Sequence, residues 1–311
     1  MDPSLQILLA IVFGALISGT VVGQLLRYRA KSDRLQRIAA NLNDRVRAWW
    51  IMVAFFVISI LVGGITTVIL FGLSSFLAFR EFVTLTPTRR GDHRALFWAF
   101  FVIIPFQFAL VAMKWYGMFA VFIPVYAFLF IPARIALAGD ADRYLERTSK
   151  IQWGLMVCVF FISHVPALMM LNIKGFEGRN AALLFYFILL VQMNDVLQYV
   201  FGNLIGKRKV APTISPNKTW GGLLGGVFSV SVLGTTLYWV TPFSMPFACA
   251  VSFAIAVMGF LGDLTMSAVK RDLGVKDYSA SIPGHGGVLD RLDSVVFAAP
   301  LFFHLVRYYY T

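Results

Sequence analysis

Charge is scarce in this chain. Only 14% of its 311 residues are charged, against 59% hydrophobic, where a soluble domain has roughly a quarter charged. That shortage excludes a soluble globule, because too little polar surface exists to cover one. The apolar content and the lack of a short repeat exclude disordered and fibrous architectures. Cysteine is nearly absent. Cys158 and Cys249 both lie inside apolar runs, cannot build a zinc cluster or a disulfide framework, and read as small buried hydrophobes. Acids are outnumbered, 15 to 27, for a net charge of +12. In a membrane protein this first means basic cytoplasmic loops. Nucleic acid is disfavoured as a partner, since the basic residues are split among short loops without a binding module. No Ser/His/Asp triad is evident: of four histidines only His285 stands in a polar loop, while His93 is in a basic loop and His164 and His304 are in apolar runs.

What is present is hydrophobic length. A spanning helix needs about 20 apolar residues. Such runs cover 5–26, 95–113, 116–138, 151–171, 181–201, 220–240, 246–266 and 292–307. The run 51–79 is too long for one span and too short for two full ones, with Gly63 and Gly64 in its middle. Charge decides its form. If 51–79 is a hairpin of two short helices, the loops 27–50, 80–94, 139–150, 202–219 and 267–291 share one side. That side then holds 22 of the Lys and Arg residues and the other holds 3. A single helix there spoils the asymmetry. The positive-inside rule predicts the hairpin, ten helical segments and a basic cytoplasmic face. The fold class is an all-α polytopic bundle of nine to ten transmembrane or half-membrane helices.

Residues 5–26 read as a retained helix, because the preceding Met1-Asp2-Pro3 is acidic and no small-residue cleavage site stands out. After it, Leu35, Ile38, Leu42 and Val46 alternate with arginines. That spacing predicts either a basic amphipathic helix on an anionic leaflet or a solvated topogenic loop.

Chemistry concentrates in the second half. Asp195 and Asp263 fall inside apolar runs, where a carboxylate is costly and is a functional candidate by default. Asp263, Ser267 and Lys270 share one helix face by their spacing of four and seven. Then follow Arg271, Lys276, Asp277, and a loop with His285, Gly286 and Gly287, whose backbone amides are expected to wrap phosphate oxygens. Asp290, Arg291 and Asp293 open the last span. Ser215, Lys218 and Thr219 stand before Gly221 and Gly222 at a helix start, a setting that favours anions. Carboxylates converging with phosphate-binding cations point to a divalent metal, which bridges them, and to in-line transfer at phosphorus.

The stretch from Ser267 to Asp293 resembles the signature of the phosphatidate cytidylyltransferases, the CDP-diacylglycerol synthases. It matches at Ser267, Lys270-Arg271, Lys276-Asp277, Ser279, Ile282-Pro283, His285-Gly286-Gly287, Asp290-Arg291 and Asp293. Asp195…Tyr199…Gly202, Ser215-Pro216-Asn217-Lys218-Thr219-Trp220, Arg45-Val46 and Arg80-Glu81-Phe82 resemble its earlier blocks. The resemblance runs from about residue 45 to the end.

It implies an integral protein of the cell inner membrane that joins CTP to phosphatidic acid at the cytoplasmic face, using Mg2+ with K+ beside it, and a homodimer. It also implies Asp263 and Asp290 as metal ligands, with Lys270 as their catalytic partner. Ser267 and Arg271 would hold substrate phosphates, and Ser215, Lys218 and Thr219 would meet nucleotide or phosphate. Asp195, Lys276, Asp277, His285, Gly286, Gly287, Arg291 and Asp293 would complete the pocket. By region, 1–50 is an added helix with a basic segment, 51–180 an N-terminal membrane region, and 181–311 the catalytic region with loops 202–219 and 267–291. One departure stands out. The family commonly has Lys-Thr-Trp-Glu-Gly, and here Gly221 replaces the Glu, which opens an altered lipid acceptor or an accessory role. Two other readings compete: a CTP-dependent polyprenol kinase, and a non-catalytic lipid or anion transporter.

Overall fold

A computed structural model describes residues 2–29, 32–282 and 286–311. Among them, eight helices are long and apolar enough to cross a membrane: α1 Pro3–Arg29, α2 within Asp33–Val62, α3 Gly64–Leu85, α4 Arg90–Ala112, α5 Tyr116–Ala136, α6 Tyr144–Met170, α7 Asn180–Leu204 and α9 Met245–Asp272. Shorter helices α8 Trp220–Thr236 and α10 Val295–Tyr310 complete the bundle. A small hairpin, β1 Lys209–Ala211 and β2 Ser215–Thr219, joins α7 to α8. The polytopic helical bundle expected from the sequence is the architecture found.

The hairpin of α2 and α3 is present, but neither arm is short. Gly63 breaks the chain with φ of 137°, a value L side chains rarely adopt. The Thr67 hydroxyl closes the turn by donating to the Ser59 carbonyl at 3.2 Å. Upstream, no Gly or Pro lies between residues 33 and 62, so α2 runs 30 residues without interruption. The basic segment before Trp50 is therefore the first part of α2, neither a separate in-plane helix nor a loop. It pairs antiparallel with α1. Asn43 Nδ2 donates to the Gly23 carbonyl at 3.2 Å, and Trp50 Nε1 donates to Thr20 Oγ1 at 3.0 Å.

Helices in lipid gain little from apolar burial alone and associate through close packing of small residues. The α7–α8 seam works this way. A Cβ on Gly222 would lie 2.6 Å from the Gln198 carbonyl oxygen, and one on Gly225 would lie 2.5 Å from the Phe201 ring. A buried polar tie locks the same region: Tyr186 Oη bonds the Gly234 carbonyl at 3.1 Å and Ser252 Oγ at 2.8 Å. Phe187 stacks on Phe302 of α10 at 5.0 Å between centroids. Cys158 is buried as expected, whereas Cys249 is exposed on α9, on the outer surface of the bundle.

The loops sort to two ends. Arg89 pairs with Asp142, Arg147 with Asp140, Glu81 bonds Ser279, and Arg271 bonds the Ile214 carbonyl. The basic loops after α3, α5, α7 and α9 thus gather at one end. At the other, Arg179 meets Asp2 and Ser4, and the Arg307 guanidinium lies 3.5 Å over the Tyr116 ring.

Candidate active site

The site forms at the basic end, where α7, α8, α9 and the segment before α10 converge. Each element brings its residue for a local reason. Thr219 ends β2 and caps α8, its Oγ1 accepting from Gly222 N at 3.1 Å. That cap fixes the neighbouring Lys218, whose Nζ reaches Asp263 Oδ2 at 2.5 Å and lies 4.8 Å over the Phe260 ring. One turn along α9, Ser267 Oγ donates to Asp263 Oδ1 at 3.2 Å. Three residues further, Lys270 Nζ meets Asp290 Oδ1 at 2.8 Å and Asp293 Oδ2 at 3.6 Å. The face of Asp263, Ser267 and Lys270 expected from spacing is the face observed. Asp195 accepts from Ser294 Oγ with both oxygens, at 3.0 and 2.9 Å. The charges of Asp195, Asp263 and Asp293 lie within electrostatic reach of one another.

A cavity of about 230 Å³ opens among these groups, lined by Asp195, Ser215, Lys218, Thr219 and Asp263 with Phe260 as an apolar wall. Five residues named from the sequence therefore share one space or its rim. Others stand apart. Arg271 is exposed and donates from Nε to the Ile214 carbonyl at 3.2 Å and from Nη1 to the Val275 carbonyl at 3.0 Å. It ties the β-hairpin tip to α9. Lys276 and Asp277 are exposed in the loop after α9, off the cavity lining. His285, with Pro283 and Gly284, lies outside the described residues.

The glycine segment departs from expectation. Among the described residues, its amides turn toward the protein's own carboxylates. Gly287 N donates to Asp290 Oδ2 at 2.9 Å, and Val288 N and Leu289 N donate to Glu81 at 3.0 and 2.9 Å. Two carboxylates thus take up these amides. Gly286 is needed for its φ of 79°, and Gly287 because a Cβ would fall 2.4 Å from Glu81 Oε2. Asp290 is engaged on both oxygens, since Tyr278 N also donates to Oδ2 at 2.8 Å. Burial raises the Tyr278 phenol well above its ordinary pKa, so it stays protonated and donates to the Met266 carbonyl at 3.2 Å.

Glu81 is the residue that motif reading undervalued. It takes four hydrogen bonds from the site segment, including Ser279 Oγ at 2.6 Å and Ser281 Oγ at 2.8 Å. In the sequence it stands just past the apolar run 51–79, and only the resemblance at Arg80-Glu81-Phe82 pointed to it; the structure extends α3 over it. Gly221 also finds its reason. A Cβ there would sit 3.0 Å from the Ile205 carbonyl oxygen and 3.2 Å from Gly206 Cα. The start of α8 thus lies close against the backbone that follows α7.

The donor set suits a hard cation at one place. Among the described residues no three acids, histidines or cysteines are close enough to hold a metal by themselves. Mg2+ asks for less, one or two carboxylates plus substrate phosphates. The Asp263 side chain, 25% exposed and facing the cavity, fits that role. Asp290, expected as the second ligand, is 2% exposed, with its oxygens taken by Lys270 and two amides; it stands behind Lys270.

Residues 43–309 match the model of the cytidylyltransferase family. The chain is 37% identical over 301 residues to the uncharacterized protein YnbB of Escherichia coli (strain K12), covering 96% of this chain and 97% of that one. It is 36% identical over 157 residues to the phosphatidate cytidylyltransferase of Staphylococcus aureus (strain COL), covering 49% of this chain and 60% of the relative. It is 37% identical over 138 residues to that of Bacillus subtilis (strain 168), covering 44% and 51%. With a matched region that takes in every residue of the site, the chain belongs to the cytidylyltransferase family and, by that membership, is a nucleotidyltransferase set in a membrane.

Proposed function

We propose that the protein transfers CMP from CTP to phosphatidic acid, releasing pyrophosphate and leaving CDP-diacylglycerol in the membrane. The observation that carries this is the pairing of Lys218 with Asp263 beside a cavity that also receives Asp195, Ser215 and Thr219 at one end of a membrane bundle. The phosphatidate monoester has a second pKa of about 6 and attacks as a dianion, so no general base is required. One of its oxygens bonds to the α-phosphorus of CTP, the bond from that phosphorus to the β-phosphate oxygen breaks, and pyrophosphate departs. Lys218 and Lys270 place positive charge where phosphoryl charge develops. Ser267 holds Asp263 in its rotamer, and Asp290 holds Lys270. When bound at Asp263 and the substrate phosphates, Mg2+ would supply further neutralisation of that charge. The basic end of the bundle would be the cytoplasmic one, where CTP is found.

The test is a product assay on detergent-purified protein with phosphatidate, Mg2+ and CTP labelled at the α-phosphate. We expect label in the lipid fraction, and a fall of about 10²–10³-fold in Asp263→Asn, the size seen when one transition-state contact is removed. Lipid labelled only by γ-labelled CTP would establish the kinase instead. An Asp263→Asn protein with full turnover would overturn the role given to that carboxylate.

A further inference from the structure

A second cavity, of about 520 Å³, lies on the other side of the 279–292 segment, between α2 and α3. Its volume falls in the roughly 300–1,000 Å³ range of ligand sites. Ile51, Phe55 and Phe71 form its walls and Ile282 and Leu292 its floor. Phe55 is 62% exposed, so the groove is open along the outer face of the bundle. This wall belongs to the apolar half of α2 and to α3, both membrane-crossing by length and composition. Hydrocarbon is therefore the medium outside it.

Its mouth is different. Arg47 and Asp44 stand one turn above the apolar wall, and Arg291 projects from the floor. Arg291 Nε is buried and has no hydrogen-bond partner among the described residues. A buried charged donor left unmade is costly, and the cost disappears when an anion arrives. The charge of Arg291 also reaches Asp195 and Asp293. One side chain thus lines the apolar groove and acts on the acidic cluster of the site.

We infer that this groove holds the acyl portion of an anionic phosphoglycerolipid, with its phosphate between Arg47 and Arg291. Apolar walls alone would suit any lipid, and a free phosphate would leave those walls unfilled. An amphiphile with an anionic head satisfies both ends, since two guanidiniums at the mouth outweigh the Asp44 carboxylate. Such a lipid delivers its phosphate at Arg291, whose charge also reaches Asp195 and Asp293 across the segment. The α1–α2 pair acquires a purpose as well. The bonds of Asn43 to Gly23 and Trp50 to Thr20 bracket Arg47 and fix the turn that carries it. The inference rests on the proposed transfer reaction for its purpose, but not for its test.

The probe is phosphatidate carrying a diazirine in its acyl chain, in mixed micelles with the full-length protein. Photolysis should place adducts on residues 51–56 and 70–74. Unlabelled phosphatidate should suppress them, and phosphatidylcholine should not. Arg47→Gln, a change on an exposed face, should weaken that competition about tenfold, the worth of one charge-assisted phosphate contact. Ser74→Phe should fill the groove and abolish the adducts while CTP binding, read by calorimetry, reports an intact fold. Adducts elsewhere, or equal suppression by phosphatidylcholine, would overturn the site. Adducts in the groove with no CMP transferred would leave the groove standing and remove the transfer reaction; transfer with adducts elsewhere would do the reverse.

Discussion

The two lysine–aspartate pairs of the site stand in unlike surroundings. Lys218 comes from a short β-hairpin and meets an aspartate whose side chain is 25% exposed to a cavity. Lys270 comes from the last turn of the long helix α9 and meets one that is 2% exposed. Behind the first pair stand the Ser267 hydroxyl and the Phe260 ring. Behind the second stand two backbone amides, and beyond those the Glu81 carboxylate, which grips the same segment. The same two residue types are thus used differently. The open pair can exchange partners when phosphates or a cation arrive. The closed pair keeps an ammonium in one position and holds the chain around it.

Replacing each lysine should break this symmetry of composition most sharply. Lys270→Met leaves Asp290 buried without its cation, which costs about 3–5 kcal/mol when a buried pair loses one partner. Lys218→Met leaves Asp263 facing the cavity, where water can reach it, and the cost should lie between about 1 kcal/mol for an exposed pair and the buried-pair figure. Both should lose CMP transfer. Thermal unfolding in detergent separates them: a large drop in midpoint for Lys270→Met beside a smaller one for Lys218→Met. Equal drops would mean that the pairs are equivalent after all.

Glu81 sharpens the comparison from further out. Glu81→Ala removes a charged acceptor from four donors, two of them backbone amides. Each such bond is worth about 1.5–3 kcal/mol, though the freed segment recovers part of this from water. The expected result is a fall in turnover of roughly ten- to a hundredfold, spread over 279–289, with CTP affinity at the Lys218 side preserved. Hydrogen exchange at Val288 and Leu289 should quicken, and Glu81→Gln should recover part of the loss. Unchanged exchange there would show that Glu81 does not hold the segment.

These contrasts also mark what could be read without coordinates. The spans were legible because hydrophobic length and loop charge obey simple physical limits. The Asp263, Ser267 and Lys270 face was legible because helical spacing places them together. Glu81 was not, since its partners lie about 200 residues away and only packing brings them near. The described amides at Gly287, Val288 and Leu289 were hidden for a related reason: spacing shows that they can turn, but not which carboxylate they turn toward. The continuity of α2 was hidden by its change from basic to apolar, which looks like a boundary although no helix-breaking residue marks one.

Gly221 offers a smaller effect on the open side. Restoring the family's Glu there would push a side chain against the Ile205–Gly206 backbone. Overpacking of this kind costs about 1–3 kcal/mol. Gly221→Glu should therefore lower the unfolding midpoint and not raise CMP transfer. A more active variant would show that the α7–α8 contact gives way, and that the carboxylate serves the chemistry here too.

The smallest effect lies away from the cavity, where the comparison of open and closed pairs can be checked against pH. Arg147, 5% exposed, bonds Asp140 at 2.7 Å and faces the fully buried Asp92 at 3.4 Å. The Arg147 hydrogen bond, helped by the Asp142 amide, holds the Asp140 carboxyl below the usual carboxylate range. A depressed folded pKa means that the folded state binds its proton more weakly than the unfolded chain does. The stability it contributes is complete above the unfolded value of about 3.9. It is lost as pH falls through the lower folded value. Wild type and Asp140→Asn should then differ in unfolding midpoint at pH 6 and converge as pH falls through the lowered folded value. The gap should be small, because Asp140 is half-buried and Arg147 keeps Asp92 as a second partner. A gap that persists at low pH would mean that shape, rather than charge, holds the loop after α5 to the start of α6.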